Sequence, residues 1–112
     1  MFYIFIQYKF DSISFMNFRT MYNVLEQDEN MAVIELCGKE HPVFKAHFPS
    51  KPILPGFIHF DVVEELFFLK IKAIKKAKFL GMVAPGEKLR YERNINKFKV
   101  FSSDKEVANF SL

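Results

Sequence analysis

Residues 41–61 read HPVFKAHFPSKPILPGFIHFD, and this stretch holds four of the five prolines in the chain. Proline removes a backbone donor and restricts the residue before it, so we expect residues 38–56 to form an ordered, irregular loop that is neither helix nor strand. From Phe57 to about Leu69 there is no proline or glycine, and apolar residues occupy almost every side of a helical wheel. This pattern predicts a helix that is buried all round.

Strand-like segments lie on both sides of this loop and helix. Residues 22–26 and 31–37, with the turn sequence QDEN between them, predict a hairpin before the loop. Four further strand-like runs follow the helix: IKAIKKAKFL (71–80), EKLRYERNI (87–95), KFKVF (97–101) and VANFSL (107–112). One buried helix with a run of antiparallel strands predicts an α+β fold, in which the sheet wraps around one long central helix.

Residues 1–20 precede this pattern. Residues 2–8 are strand-like, and residues 11–18 are typical of a short helix. We treat residues 1–112 as one domain, in which residues 1–20 are a candidate N-terminal extension. The alternative is that translation truly starts at Met16 or Met21. The apolar run at the N-terminus is interrupted by Lys9 and Asp11, well short of the roughly 20 residues that span a bilayer. It also lacks the features of a signal peptide, so we expect no membrane association and a cytoplasmic location.

Composition narrows the class of protein. Hydrophobic residues make up 50% and charged residues 26% of the 112 residues, which excludes an intrinsically disordered chain. The net charge of +3 favours an acidic partner without requiring nucleic acid. The single cysteine, Cys37, cannot form an intramolecular disulfide, in keeping with a reducing cytoplasm.

Three residues carry the candidate chemistry. Gly56 lets a ligand approach the backbone closely, at a helix start where N–H groups and the helix dipole favour a polarised carbonyl. Asp61 follows within an apolar helix, where desolvation raises the pKa of a carboxyl and favours its protonated form. His47 suits a base, because the reference pKa of histidine is about 6.5. Two ordinary structural readings stay open: a loop histidine often bonds a backbone carbonyl, and a first-turn aspartate often pairs with helix N–H groups.

A metal site is a further interpretation of the same stretch. His41 and His59 add two imidazoles to His47, with Cys37 and Asp61 nearby in sequence. The gaps of six and twelve residues between the histidines match no compact ligand motif, so we expect no metal. His41 is expected in the loop, and His59 on the helix beside the candidate site.

The run HFPSKPILPGFIHFD at 47–61 resembles the signature of the hotdog-fold (3R)-hydroxyacyl-acyl-carrier-protein dehydratases of the FabA/FabZ type. Their pattern is His-Phe-Pro-Gly-x-Pro-x-x-Pro-Gly, four residues, then Asp or Glu. The matching positions are His47, Phe48, Pro49, Pro52, Pro55, Gly56 and Asp61. The resemblance continues in KKAKFLGMVAPGEKL (75–89) and VANFSL at the C-terminus, and it covers the chain from about residue 22 to 112.

The resemblance implies a lyase of fatty-acid or related acyl-chain biosynthesis. Such enzymes remove water from a 3-hydroxyacyl thioester on the phosphopantetheine arm of acyl carrier protein, giving the trans-2-enoyl thioester, and need no cofactor besides this arm. The resemblance also implies a homodimer, or a higher oligomer, in which each active site takes His47 from one chain and Asp61 from the other. A dimer has its own physical reason, because one sheet of this length cannot enclose a helix that is apolar all round.

The resemblance assigns a role to each site residue. His47 removes the α-proton, Asp61 protonates the departing hydroxyl, and the Gly56 N–H binds the thioester carbonyl. The carbonyl of Ile53 orients the imidazole, and Phe57 is a candidate for lining the acyl slot.

Two residues depart from the family pattern. Ser50 replaces the glycine after His-Phe-Pro, which restricts the turn if that position needs a positive φ. Glu65 replaces a glutamine, and we expect this second carboxylate, one turn from Asp61, to raise the pKa of Asp61 further or to alter its hydrogen bonds.

Two other functions remain open. A hotdog thioesterase would use a carboxylate to activate water on an acyl thioester. A carrier-binding module that has lost catalysis is favoured by the two departures, Ser50 and Glu65. Carrier proteins are acidic, so a basic surface is a candidate for docking them. The residues of this candidate surface are Lys70, Lys72, Lys75, Lys76, Arg90 and Arg93. An ordinary solvated face explains these residues equally well.

Overall fold

The computed structural model describes residues 21–45 and 51–112, and the strands in these ranges form one antiparallel sheet. The predicted strand at 2–8 and short helix at 11–18 lie outside the described residues. The strands are β1 (Tyr22–Gln27), β2 (Met31–Leu36), β3 (Lys76–Phe79), β4 (Lys88–Asn94), β5 (Lys97–Ser102) and β6 (Lys105–Ser111). Their order in the sheet is β1-β2-β4-β5-β6-β3, so β1 and β3 form its edges.

Strands β1 and β2 form the predicted hairpin. In β2 the side chains of Ala32, Ile34 and Leu36 are buried, while those between them are partly exposed, which confirms the alternation expected from the sequence. The Asp28 carboxylate accepts a hydrogen bond from the Asn30 N–H at 2.8 Å and so stabilises the turn.

The proline loop contains a short helix, which corrects the prediction that residues 38–56 hold none. Residues Pro42–Lys45 form this helix, α1. Proline is compatible with the first helical position, where its missing N–H has no partner in any case. The Nδ1 atom of His41 accepts a hydrogen bond from the Val43 N–H at 3.0 Å and stabilises the turn. Residues 46–50, which include His47 and Ser50, lie outside the described residues.

The predicted buried helix is present as α2 (Ile58–Leu66). Its ring contacts with the sheet include Phe60 against Phe110 of β6, with centroids 4.9 Å apart. Most of its circumference is buried, through Ile58, His59, Phe60, Asp61, Val62, Val63 and Leu66. No helix in the described ranges has the length and hydrophobicity needed to cross a membrane.

Helix α2 ends three residues before the predicted end at Leu69 because the chain turns left-handed at Phe68, whose φ is 53°. The Leu69 N–H bonds to the Glu64 carbonyl at 3.2 Å, as in a Schellman motif. Glycine is usual at the left-handed position because a Cβ is strained there. A phenylalanine occupies it here, with a side chain that is 92% exposed.

The predicted strand at 71–80 is confirmed only for Lys76–Phe79. Ile71 and Ile74 are buried in the segment that leads from α2 to the edge of the sheet, at a spacing of three that does not fit a strand. The Ile71 N–H is bonded to the Glu64 carboxylate at 2.6 Å. The apolar character of this run therefore reflects burial of a connecting segment.

The cap of α2 gives a stability prediction. Phe68→Gly relieves the strain of a Cβ at positive φ and removes a ring that contributes little buried surface, so we expect the free energy of unfolding to rise by about 1 kcal/mol. Urea denaturation measures this change. Phe68→Ala is the control, because it removes the ring and keeps the Cβ. An equal gain for both variants would contradict strain at this position.

Candidate active site

Asp61, the fourth residue of α2, is completely buried, with 0% of its surface exposed. Neither carboxyl oxygen has a hydrogen-bond partner among the described residues. Buried polar groups are almost always paired, because leaving one unpaired costs about 1–3 kcal/mol. Asp61 is therefore a carboxyl held in an apolar helix at a cost to stability, which makes it a candidate for a functional role.

The surroundings of Asp61 keep it protonated. Burial, and to a smaller extent the charge of Glu64, raise the pKa of Asp61 from 3.8 to about 8. Its carboxyl is thus mainly neutral at pH 7 and can donate a proton, as expected from its place in an apolar helix.

The carboxylate that acts on Asp61 is Glu64, whereas the sequence predicts Glu65. Glu64 is half-buried and is fixed by its hydrogen bond from the Ile71 N–H. Burial is also the largest cause of the raised pKa of Glu64. Glu65 is exposed and accepts a hydrogen bond from the Tyr22 hydroxyl at 3.0 Å, which directs it towards β1. One position along a helix is a rotation of about 100°, enough to separate these two environments.

Gly56 lies in the tight turn that leads into α2. Backbone hydrogen bonds of 3.0–3.1 Å close this turn, from Ile58 to Pro55, His59 to Gly56 and Phe60 to Phe57. The Gly56 N–H lies before the residues whose N–H groups donate these hydrogen bonds. A Cβ at this position would lie 2.9 Å from the ring of Phe79 on β3, so a larger residue would force that ring to move.

The end of the proline loop is fixed against the segment after β3. The Leu54 N–H bonds to the Val83 carbonyl at 2.7 Å, and Ile53 and Phe57 on either side of Leu54 are half-buried. Ile53, Gly56 and Phe57 thus lie in sequence directly before the first turn of α2. His47 lies outside the described residues, so its role as base and the orienting role of the Ile53 carbonyl stay predictions.

One buried polar pair was not foreseen in the sequence. His59 lies on α2 as predicted, and its Nδ1 is 2.8 Å from the hydroxyl of Tyr91 on β4. Burial lowers the pKa of His59 to about 4, so the imidazole is neutral near pH 7. The alternation of β4, in which Leu89 and Tyr91 are buried, is the signal that could have placed Tyr91 under the helix.

Two of the histidines considered as metal ligands, His41 and His59, have hydrogen-bond partners within the fold. Within residues 21–45 and 51–112 no three His, Cys, Asp or Glu side chains are arranged to hold a metal ion. His41 serves the turn of α1, and His59 bonds Tyr91.

Replacing Gly56 tests its contact with Phe79. Gly56→Ala forces the Phe79 ring to move, and overpacking of this kind typically costs roughly 1–3 kcal/mol. In the Phe79→Leu background the same substitution should cost less, because the ring atoms that would clash are gone. Urea denaturation of the four proteins gives both costs. Equal costs in the two backgrounds would show that the contact does not restrict position 56.

The pKa of Asp61 predicts how stability depends on pH. The folded protein retains this proton up to about pH 8 whereas the unfolded chain releases it near pH 3.8, so the wild type loses stability between these values as the pH rises. Asp61→Asn removes this loss. Its thermal midpoint should therefore exceed that of the wild type by more at pH 7.5 than at pH 4.5, with a smaller effect of the same sign for Glu64→Gln. The same difference at both pH values would contradict the raised pKa.

Curated dehydratases from two bacteria are similar to this chain. The FabZ 3-hydroxyacyl-[acyl-carrier-protein] dehydratase of Fusobacterium nucleatum is 33% identical over 92 residues, which is 68% of this chain and 64% of that protein. The corresponding protein of Clostridium acetobutylicum is 34% identical over 70 residues, 51% of this chain and 50% of its own length. The chain thus spans between half and about two thirds of these curated relatives.

A solved structure shows the fold. It is described as the dehydratase heterocomplex ApeI:P from Xenorhabdus doucetiae, and it matches with a TM-score of 0.59 at 21% identity over 79% of this chain and 89% of that one. The likeness confirms the predicted hotdog fold, with its central helix shorter than expected. The model of the ApeI-like family, described as ApeI dehydratase, matches residues 24–111. With a match over most of its length, the chain belongs to the ApeI-like dehydratase family.

Proposed function

We propose that this chain removes water from a (3R)-3-hydroxyacyl thioester on acyl carrier protein and forms the trans-2-enoyl thioester. The observation that carries the proposal is the Asp61 carboxyl, which is buried, unpaired among the described residues and neutral near pH 7. Such a group is suited to donate a proton to a poor leaving group. Membership of a dehydratase family and the FabZ relatives support the same reaction class.

In the proposed mechanism, two proton transfers accompany the elimination. His47 accepts the proton from C2, and the electrons of that C–H bond form the C2–C3 double bond. The C3–O bond breaks, and the leaving oxygen takes the Asp61 proton and departs as water. The Gly56 N–H, at the start of α2, stabilises the charge that develops on the thioester oxygen. An imidazolium and a carboxylate remain, and a proton passing between them restores the starting state.

The apolar packing around Asp61 assists this chemistry. A carboxyl that ionises at low pH would have no proton to give at pH 7, whereas a pKa near 8 keeps the acid loaded and still lets it release the proton. A thioesterase of the kind considered above needs an ionised carboxylate as base, and burial disfavours that form of Asp61.

We propose that a second chain completes the site, as in a homodimer with shared active sites. Within the described sheet β3 is an edge strand, and Phe79, Leu80 and Met82, which lie in β3 and the segment after it, are 38%, 44% and 65% exposed. Such an apolar edge favours association. The partner is a second copy of this chain in this proposal. The ApeI:P neighbour is described as a heterocomplex, and measuring the mass of the assembly would distinguish a homodimer from a mixed assembly.

The acyl carrier protein is the proposed carrier of the substrate, and its phosphopantetheine arm is the only prosthetic group required. Of the expected docking residues, Arg90 forms ion pairs with Glu92 and Asp104, and Arg93 donates to the Ile95 carbonyl at 2.8 Å. These two arginines are engaged within the sheet. The lysines Lys70, Lys72 and Lys75 are exposed, so they are the better candidates for meeting an acidic surface, whereas Lys76 is half-buried.

The assay follows enoyl absorbance and free thiol when the protein meets a 3-hydroxyacyl carrier protein. We expect enoyl product from the wild type and a loss of about a hundredfold or more in Asp61→Asn, since a general acid contributes roughly 10²–10⁴-fold. Asp104→Asn makes the same chemical change at an exposed turn and should leave the rate unaltered. Free thiol without enoyl product would establish a thioesterase instead. Binding of the carrier without either product would establish a binding module.

A further inference from the structure

The contact between α2 and the sheet includes one fully buried polar pair. His59 and Tyr91 are 3% and 0% exposed, and the histidine Nδ1 lies 2.8 Å from the tyrosine hydroxyl. Their rings meet edge to face, with centroids 5.7 Å apart. Apolar contacts permit small sliding and rotation, whereas a hydrogen bond has a preferred distance and direction. This pair can therefore fix the orientation of the helix more tightly than the contacts around it.

The surroundings of the pair make the bond costly to break. Tyr91 lies on β4 in the interior of the sheet, and its register partners are Ala32 on β2 and Val100 on β5, both buried and apolar. If the helix turned away, the tyrosine hydroxyl would lose its hydrogen bond in an apolar layer, at a cost of about 1–3 kcal/mol. The histidine is neutral here, so the bond does not depend on pH near neutrality.

The position of the pair along α2 connects it to the acid. Asp61 follows His59 by two residues, which corresponds to a rotation of about 200° around the helix axis. His59 faces β4, so Asp61 projects from nearly the opposite side. A rotation that breaks the bond to Tyr91 would turn Asp61 by the same angle. The direction of the acid is thus set by the bond on the far side of the helix.

Two further polar ties between α2 and the sheet are described, and both lie at the far end of the helix. The Tyr22 hydroxyl bonds to Glu65, and the Gln27 side-chain amide bonds to the Leu66 carbonyl. Both come from β1, at the edge of the sheet. Among the described contacts, His59–Tyr91 is the polar tie nearest in sequence to Asp61.

We propose that the His59–Tyr91 hydrogen bond is a positioning contact for dehydration, which fixes the rotation of α2 and so directs the Asp61 carboxyl to the C3 hydroxyl of the substrate. The inference rests on the proposed function. Neither residue touches the substrate in this account. Their effect is carried by the backbone of the first helical turns.

Tyr91→Phe tests the inference by removing one oxygen and keeping the ring. A misdirected acid slows the chemical step, so kcat should fall by about tenfold or more while KM changes by less than about threefold. Tyr22→Phe is the matched control: it removes the same atom from a half-exposed bond at the other end of α2, and kcat should stay within roughly twofold. All variants are compared below their unfolding temperatures.

A conservative replacement separates positioning from simple stability. His59→Asn keeps a polar side-chain group that can pair with the tyrosine hydroxyl and should retain more of kcat than His59→Leu. If Tyr91→Phe lowers the thermal midpoint but leaves kcat within about twofold, the pair is only structural and the inference is overturned.

A second readout does not depend on activity. In ¹³C NMR titrations, the pKa of the Asp61 carboxyl should move from about 8 towards its ordinary value in Tyr91→Phe, because a rotated helix gives the carboxyl access to water. If the wild type dehydrates no thioester, the proposed function fails, and this titration still decides whether Tyr91 sets the environment of Asp61. An unchanged pKa would overturn the inference.

Discussion

The burial of one carboxyl in an apolar helix is the constraint on which this structure depends. An ionised Asp61 in these surroundings would lack both water and, among the described residues, a hydrogen-bond partner. The cheaper state is the neutral acid, and that is the form in which a carboxyl can donate a proton at pH 7. The cost of burying it is met by the apolar residues around it. At this position the burial that keeps the carboxyl neutral also costs stability.

The remaining structure keeps Asp61 buried and correctly directed. The Schellman turn at Phe68 ends α2, and the Ile71 N–H holds Glu64 where its charge acts on Asp61. At the other end, the absence of a side chain at Gly56 lets Phe79 cover the turn before the helix. These contacts join the two ends of α2 to different parts of the chain. A carboxyl with a raised pKa therefore needs much of the fold to maintain it.

The sequence predicts the fold and the burial of Asp61 well because both depend on local pattern. Prolines mark the loop, apolar residues without glycine mark α2, and alternation marks β2. The failures come from tertiary contacts. A left-handed Phe68 ends the helix where no glycine gives warning, and a buried connection at Ile71 and Ile74 resembles a strand in composition. Residues Pro42–Lys45 form a short helix, although the proline content of residues 38–56 predicts that this loop contains none.

Side-chain partners could not be predicted from spacing alone. Glu64 and Glu65 are adjacent in sequence, and the hydrogen bonds from Ile71 and Tyr22 decide which of them affects Asp61. Tyr91 meets His59 only because the strand order places β4 in the interior of the sheet, below the helix. Such pairings join residues far apart in the chain, and they depend on the assembled sheet.

The most direct measurement is a crystal structure of the assembled protein with an unreactive analogue of a 3-hydroxyacyl thioester. The account predicts that an Asp61 oxygen lies within hydrogen-bonding distance of the C3 hydroxyl, that His47 faces C2 from the other side, and that the Gly56 N–H points to the thioester oxygen. A bound analogue whose hydroxyl makes no contact with Asp61 would contradict the assignment of this buried carboxyl as the acid.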